Sequence, residues 1–177
     1  MVKTDTRSGK VIGVNGNMVA VEFEERVIQN EVAYIHCDED RLKAEVIRVN
    51  GHKADLQVFE DTAGIRVGNN VDFSDDLLSV KLAPGLLGQV FDGLQNPLPQ
   101  LAEAHGFFLK RGAYLEPLDQ QKKWEFTPTA KVGDRVVAGD QLGTVPENIF
   151  SHRIMAPFDL LGEYEIVEIA SKGSYAI

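Results

Sequence analysis

Cysteine is nearly absent from this 177-residue chain, where Cys37 stands alone. No disulfide can close within the chain, a cysteine-based zinc cluster has no basis, and a reducing compartment is the natural setting. Basic residues are also scarce: 18 Lys and Arg face 27 Asp and Glu, for a formal net charge of −9. Phosphate-binding stripes draw on clustered Lys and Arg, so this balance argues against a nucleic-acid surface. The pairs Lys110-Arg111 and Lys122-Lys123 are read as solvated surface. Long apolar runs are missing too, and none approaches the roughly 18 residues of a spanning helix. The opening MVKTDTRSGK has no apolar segment behind it, so no signal peptide is expected. The cytoplasm is the expected location. What remains, 44% hydrophobic and 25% charged, is the composition of an ordinary folded chain.

The pattern that is present is β. Gly9 to Phe23 reads GKVIGVNGNMVAVEF, with β-rich runs on both sides of Asn15-Gly16. Asn-Gly is the strongest two-residue hairpin signal, because a type I′ turn needs positive φ at both central residues. The arrangement recurs in AEVIRVNGHKADLQVF, Ala44 to Phe59, around Asn50-Gly51. Repeat arrays need at least about three units, so two hairpins in one small barrel are the better account. Asn30–Cys37 reads as a strand, Ile65–Val67 as a short strand between turns, and Leu77–Leu82 (LLSVKL) as the strand that closes the set. A small closed β-barrel is expected over 1–82.

A second all-β unit is expected over 113–177. KVGDRVVAGDQLGTV, Lys131 to Val145, frames a short strand with Gly133-Asp134 and Gly139-Asp140, and Ile154–Pro157 and Gly162–Ile169 supply further β-rich segments. Between the units, 83–112 is read as a junction. Its core, APGLLGQVFDGLQNPL from Ala83 to Leu98, has too much Gly and Pro for a core strand and is too apolar for a flexible linker. A stiff turn is the natural reading. The one helical candidate is Leu98–Ala104, with Pro99 near its start.

Chemistry-bearing patterns are missing. A phosphate loop needs Gly-x-x-x-x-Gly-Lys-Ser/Thr, but the single Gly-Lys, Gly9-Lys10, is followed by Val11 and has Thr4 where the first glycine should stand. His36, His52, His105 and His152 are scattered without metal-ligand spacing and are read as surface or structural. No Gly-x-Ser-x-Gly elbow occurs. Asp38-Glu39-Asp40 and Asp75-Asp76 are read as solvated turns. No catalytic, cofactor-binding or metal-binding residue is therefore assigned.

Two resemblances follow from these residues. The paired Gly-Asp turns resemble those of lipoyl and biotinyl carrier domains, but the segment where a carrier's hairpin-tip lysine would stand, PENIFSHRIMAP, holds no lysine. Far more of the chain is similar to rotary ATPase head subunits. Asp61-Thr62-Ala63-Gly64-Ile65, Pro84-Gly85-Leu86-Leu87-Gly88, Asp92-Gly93 and Asn96-Pro97-Leu98 resemble the barrel and its handover segment. Lys123 to Pro128 (KWEFTP) and His152 to Pro157 (HRIMAP) resemble the extra "bulge" region of V/A-type catalytic A subunits. This resemblance implies an N-terminal barrel plus bulge, with neighbouring A and B subunits in a hexameric ring as partners of the barrel and the peripheral stalk as partner of the bulge. It implies no nucleic-acid contact and no direct membrane insertion. It also implies a nucleotide domain binding Mg-ATP beyond residue 177, so that the bulge is truncated here, this portion has no cofactor, and it is catalytically silent alone. The complete enzyme would couple ATP hydrolysis or synthesis to proton or sodium-ion transport. The alternative is a carrier-like or other β-barrel binding module. A further expectation is that Glu163–Ile169 forms an edge strand and that 171–177 is frayed or held by a neighbour.

Overall fold

The computed structural model describes residues 7–106, 108 and 110–177, so the first six residues of the expected 1–82 barrel lie outside the described residues. Two compact units form. One joins the chain up to Val80 with Pro99–Leu115, the other joins Lys81–Leu98 with Glu116–Ile177.

Alternation builds the first unit. In β2 (Met18–Phe23), Val19, Val21 and Phe23 are buried and the residues between them are not. The same period of two runs through β4 (Asp40–Asn50) and β5 (Lys53–Val58), which bury Leu42, Ala44, Val46 and Ala54, Leu56, Val58. With β1 (Arg7–Asn15), β3 (Glu31–Cys37) and β6 (Asn70–Leu77) these strands close into an antiparallel barrel in the order β1-β2-β5-β4-β3-β6, β6 pairing back onto β1. The expected closed barrel is present. No edge is left open around it.

The recurrence seen in the sequence is a recurrence in space. Register shifts between Val11 and Gly13 in β1, and between Val46 and Arg48 in β4, place β-bulges at Ile12 and Ile47. The two hairpins then lie side by side through β2 and β5, with Val19 opposite Leu56 and Val21 opposite Ala54. The turns differ from expectation by one residue. Asn15 pairs with Met18 and Asn50 with Lys53, so the loops are Gly16-Asn17 and Gly51-His52. Gly16 and Gly51 both have φ +61, while neither Asn17 nor His52 has positive φ. That is the type II′ pattern rather than I′. In each hairpin the asparagine belongs to the ladder rather than to the loop.

Two strand assignments need correction. Ile65–Val67 lies in turns, not a strand; Ile65 is buried there, and the loop is fixed to β1 by Gly68 N–H to Val11 O (2.8 Å) and Val11 N–H to Asn69 O (3.0 Å). The closing strand is β6, upstream of the expected Leu77–Leu82, and Asp75 and Asp76 belong to it rather than to a turn. Val71 and Phe73, opposite Ile35 and Ala33, already fill the interior. Leu78, Val80 and Leu82 are left exposed.

The segment expected as a junction, 83–112, is divided between the two units. Helix α1 (Leu98–His105) lies within it, buries Leu101, and runs one residue beyond the expected Ala104.

In the second unit, β7 (Lys123–Pro128), β9 (Gln141–Glu147), β10 (Phe150–Met155) and β12 (Gly173–Ala176) form a sheet in the order β10-β9-β7-β12. β8 (Arg135–Val136) pairs with β11 (Tyr164–Glu165). The two Gly-Asp turns are built alike. Asp134 Oδ2 accepts the Lys131 N–H at 2.7 Å and Asp140 Oδ2 accepts the Val137 N–H at 2.8 Å. Each turn then binds one buried downstream residue: Gly133 N–H to Ile166 O (2.8 Å), and Gly139 N–H to Ala156 O (3.1 Å). Of the expected Glu163–Ile169 strand only Tyr164–Glu165 is regular. The tail expected to fray is paired instead, with Tyr175 opposite Trp124 and its ring edge-on to Phe126 at 6.3 Å. β7 offers a free side away from β9, and an aromatic pair closes it.

Candidate functional site

In the first unit, the polar groups that organise the surface are carried by the segment after α1. Arg111 reaches Asp40 Oδ2 with Nε at 3.0 Å and Nη2 at 2.9 Å, and donates to the carbonyls of Asp61 and Ala63. The Asp40 hydrogen bond raises its pKa further above an already high value, against the opposing effect of burial. Next to it, Gly112 N–H donates to Glu60 Oε1 (3.0 Å), and Tyr114 accepts the Lys43 N–H (2.9 Å) while donating to Glu60 Oε2 (2.8 Å). Burial pushes the Tyr114 hydroxyl well above its ordinary pKa. Arg111 is therefore a fastening, not the solvated surface charge expected of Lys110-Arg111.

Across the same unit Glu31 is fully buried, with Arg7 on Oε2 at 2.6 Å and the Ile28 N–H on Oε1 at 3.0 Å. Such hydrogen-bonded pairing offsets the cost of taking a carboxylate out of water. Arg7 also reaches Asp75 at 3.0 Å, which gives that residue a partner the sequence did not show.

In the second unit one carboxylate dominates. Glu147 ends β9 almost completely buried; Oε1 accepts the N–H groups of Gly85 (2.6 Å) and Leu87 (3.1 Å), and Oε2 lies 2.7 Å from His152 Nδ1. Burial raises its pKa, but the Gly85 N–H, His152 and the Leu87 N–H together outweigh that and hold the carboxyl below its usual range. An apolar groove of about 400 Å³ lies in this unit, walled by Pro84, Trp124, Phe126, Val145, Ile154 and Tyr175. Lys122 sits over the Trp124 ring at 4.2 Å, so it too is engaged rather than simply solvated.

The four histidines are not gathered. His36 pairs with Asp72 at 2.7 Å, His52 lies in a hairpin loop beside Phe23, His105 ends α1, and His152 meets Glu147. Among the described residues no three His, Cys, Asp or Glu side chains form a group that could hold a metal. The β9–β10 hairpin tip is Asn148-Ile149, with Ile149 90% exposed, so the tip carries no amine for a covalent cofactor. Glu31, Tyr114 and Glu147 are not singled out by the sequence, and Arg111 is read there only as surface charge. The one signal that could have marked Glu147 is an isolated acid next to Pro146, at a hairpin end with a histidine across the turn.

Comparison with known proteins places both units. Residues 11–75 match the family model described as the ATP synthase alpha/beta family, beta-barrel domain, and residues 115–177 match the ATPsynthase alpha/beta subunit barrel-sandwich domain. The chain is 56% identical over 177 residues, all of its length, to a V-type ATP synthase alpha chain of Treponema denticola, covering 30% of that protein. It is 57% identical over 169 residues to V-type ATP synthase alpha chain 1 of Treponema pallidum, covering 29% of it. A V-type ATP synthase alpha chain of Borreliella afzelii is also 57% identical over 169 residues. The chain thus spans under a third of the length of the curated relatives it matches.

Proposed function

We propose a function from one premise: this chain belongs to the ATP synthase alpha/beta family, as the N-terminal region of a V-type alpha subunit. In the complete subunit it is the ring-forming and stalk-contacting portion, and Mg-ATP binds elsewhere in the longer protein. The complete enzyme couples ATP hydrolysis or synthesis to proton or sodium-ion transport and sits peripheral to the membrane on the cytoplasmic side. Among the described residues no helix is long and apolar enough to cross a membrane, which suits a peripheral role.

The observation that carries this reading is the closed barrel and what it leaves outside. A barrel without open strand edges cannot join a ring by strand pairing and must do so through side chains. Ile12, Val14 and Val67 are 36%, 40% and 71% exposed, close to the hydrogen bonds that tie the 61–69 loop to β1. Apolar residues so placed are what neighbouring alpha- and beta-type head subunits would cover. Co-expression with the V-type beta subunit tests this. Co-elution is expected, and V67D together with V14D should abolish it while leaving the melting temperature within a few degrees. Stoichiometric micromolar binding of Mg-ATP by this chain in calorimetry would overturn the division of labour.

A further inference from the structure

The stretch Lys81–Leu98 belongs to the second unit but contributes no strand to its sheet. It is tied to itself. Asp92 Oδ1 accepts the N–H groups of Leu94 (2.9 Å) and Asn96 (2.8 Å), and Asp92 Oδ2 accepts from Asn96 Nδ2 (2.9 Å). Gln95 bridges back to Lys81, accepting its N–H and donating to its carbonyl, both at 2.7 Å. The backbone also closes on itself through Leu98 N–H to Val90 O (3.0 Å) and Asp92 N–H to Asn96 O (3.1 Å). Such a segment can keep its own shape while leaving the surface it lies on.

Both ends of the stretch are seated: Asn96 and Pro97 are buried at the C-terminal end, and the N-terminal end is held by hydrogen bonds to one carboxylate. Gly85 and Leu87 donate to the buried Glu147 carboxylate. Gly85, at φ +111, lies so close to the Trp124 ring that a Cβ there would stand 3.3 Å from Cζ2 and 3.7 Å from the buried Leu118. The ion pair Lys81–Glu116, at 2.5 Å, is open to solvent on both sides and adds little. Pro84 also forms one wall of the apolar groove that Trp124 lines.

We propose that the Pro84–Leu87 end of this stretch is a strap that opens independently of the sheet beneath it, and that the Glu147 carboxylate is its latch. His152, 2.7 Å away on the paired strand, holds the carboxylate in place from the other side. With the latch made, Gly85 covers Trp124 and Pro84 walls the groove. With it broken, the strap lifts, the half-buried Trp124 gains exposure to water and the groove loses that wall. The device is internal to this unit and does not depend on the assembly proposed above.

The test uses the whole chain and its single tryptophan. In the unsubstituted protein, native-state hydrogen exchange should open Gly85 and Leu87 at a lower free energy than the β7–β9 amides. Glu147→Ala should accelerate exchange at Gly85 and Leu87 by at least tenfold, leave Thr129 N–H and the β9–β10 ladder unchanged, and move Trp124 emission to longer wavelength. Glu147→Gln, which keeps the size and one acceptor oxygen, should give a smaller acceleration at the same two amides. Equal opening energies for strap and sheet in the unsubstituted chain would overturn the proposal. So would unchanged exchange at Gly85 and Leu87 in both variants, or a uniform loss across the sheet in Glu147→Gln, which would make Glu147 a general stabiliser of the unit.

Discussion

Arg111 places two nitrogens on one oxygen of Asp40, 3.0 and 2.9 Å away, from 71 residues further along the chain. The guanidinium also donates to the carbonyls of Asp61 and Ala63, so a single side chain ties the β3–β4 turn, the 61–64 loop and the segment after α1. Charge-assisted hydrogen bonds of this kind contribute about 1.5–3 kcal/mol each to stability when partly buried. Arg111→Ala should cost about 2 kcal/mol in urea denaturation. Arg111→Lys should recover less than half of that, because an ammonium cannot span the carboxylate and the loop carbonyls together. A lysine variant as stable as the parent would show that charge alone matters here.

The II′ turns make a prediction that the I′ reading would not. Positive φ is required at Gly16 and Gly51 but not at Asn17 or His52. Gly16→Val should therefore cost about 1–2 kcal/mol from backbone strain alone, since nothing stands within 4 Å of a Cβ there. Asn15→Ala should cost well under about 1 kcal/mol, since Asn15 lies in the ladder without positive φ. Chemical denaturation of the two variants decides between the turns: a type I′ turn at Asn15-Gly16 would penalise both positions.

Gly143 is required for a different reason. A Cβ there would lie 2.1 Å from Phe126 Cε2 and 2.8 Å from the Thr127 carbonyl oxygen. Gly143→Ala should cost about 1–3 kcal/mol by overpacking. The variant should also disturb the contact of Phe126 with Tyr175, visible as loss of near-ultraviolet dichroism. Reducing Phe126 to leucine in the same chain should restore part of the stability, a coupling that a double-mutant cycle measures.

Acid should weaken the second unit through Glu147. Its carboxyl is held below the usual range when folded, so its contribution is fully present above the unfolded value of about 4.3 and is lost as the pH falls through the lower folded value. Stability measured from pH 6 downward should therefore fall more steeply in the parent than in Glu147→Gln, which cannot titrate. Parallel curves below pH 5 would show that the carboxylate contributes nothing to this slope.

Local pattern was enough to read the all-β class, the two hairpins, the short helix from Leu98 and the paired Gly-Asp turns. Each depends on neighbours in the chain: alternation along Val19–Phe23, Leu42–Val46 and Ala54–Val58, a proline near a helix start, an aspartate folding back three residues to its own turn. The absence of a phosphate loop was equally plain, because that loop is a contiguous string. The errors had tertiary causes. Both turns fall one residue later than the Asn-Gly pairs suggest and each hairpin carries a bulge, at Ile12 and Ile47, and register and bulge exist only relative to the partner strand. Leu78–Leu82 alternates as well as β6 does, and only the filled interior around Val71 and Phe73 decided which run closed the barrel.

Glu31, Arg111 and Glu147 look like ordinary surface residues along the chain, since their partners lie 24, 71 and 62 residues away. Burial and those partners give them their roles, and both come from packing. The sequence by itself determined which stretches must extend and which must turn, because φ preference and side-chain alternation act between adjacent residues. Only the tertiary structure decided the register, the closing strand and the carboxylates that fasten each unit, because each of these is a choice among distant partners that local preference leaves equal.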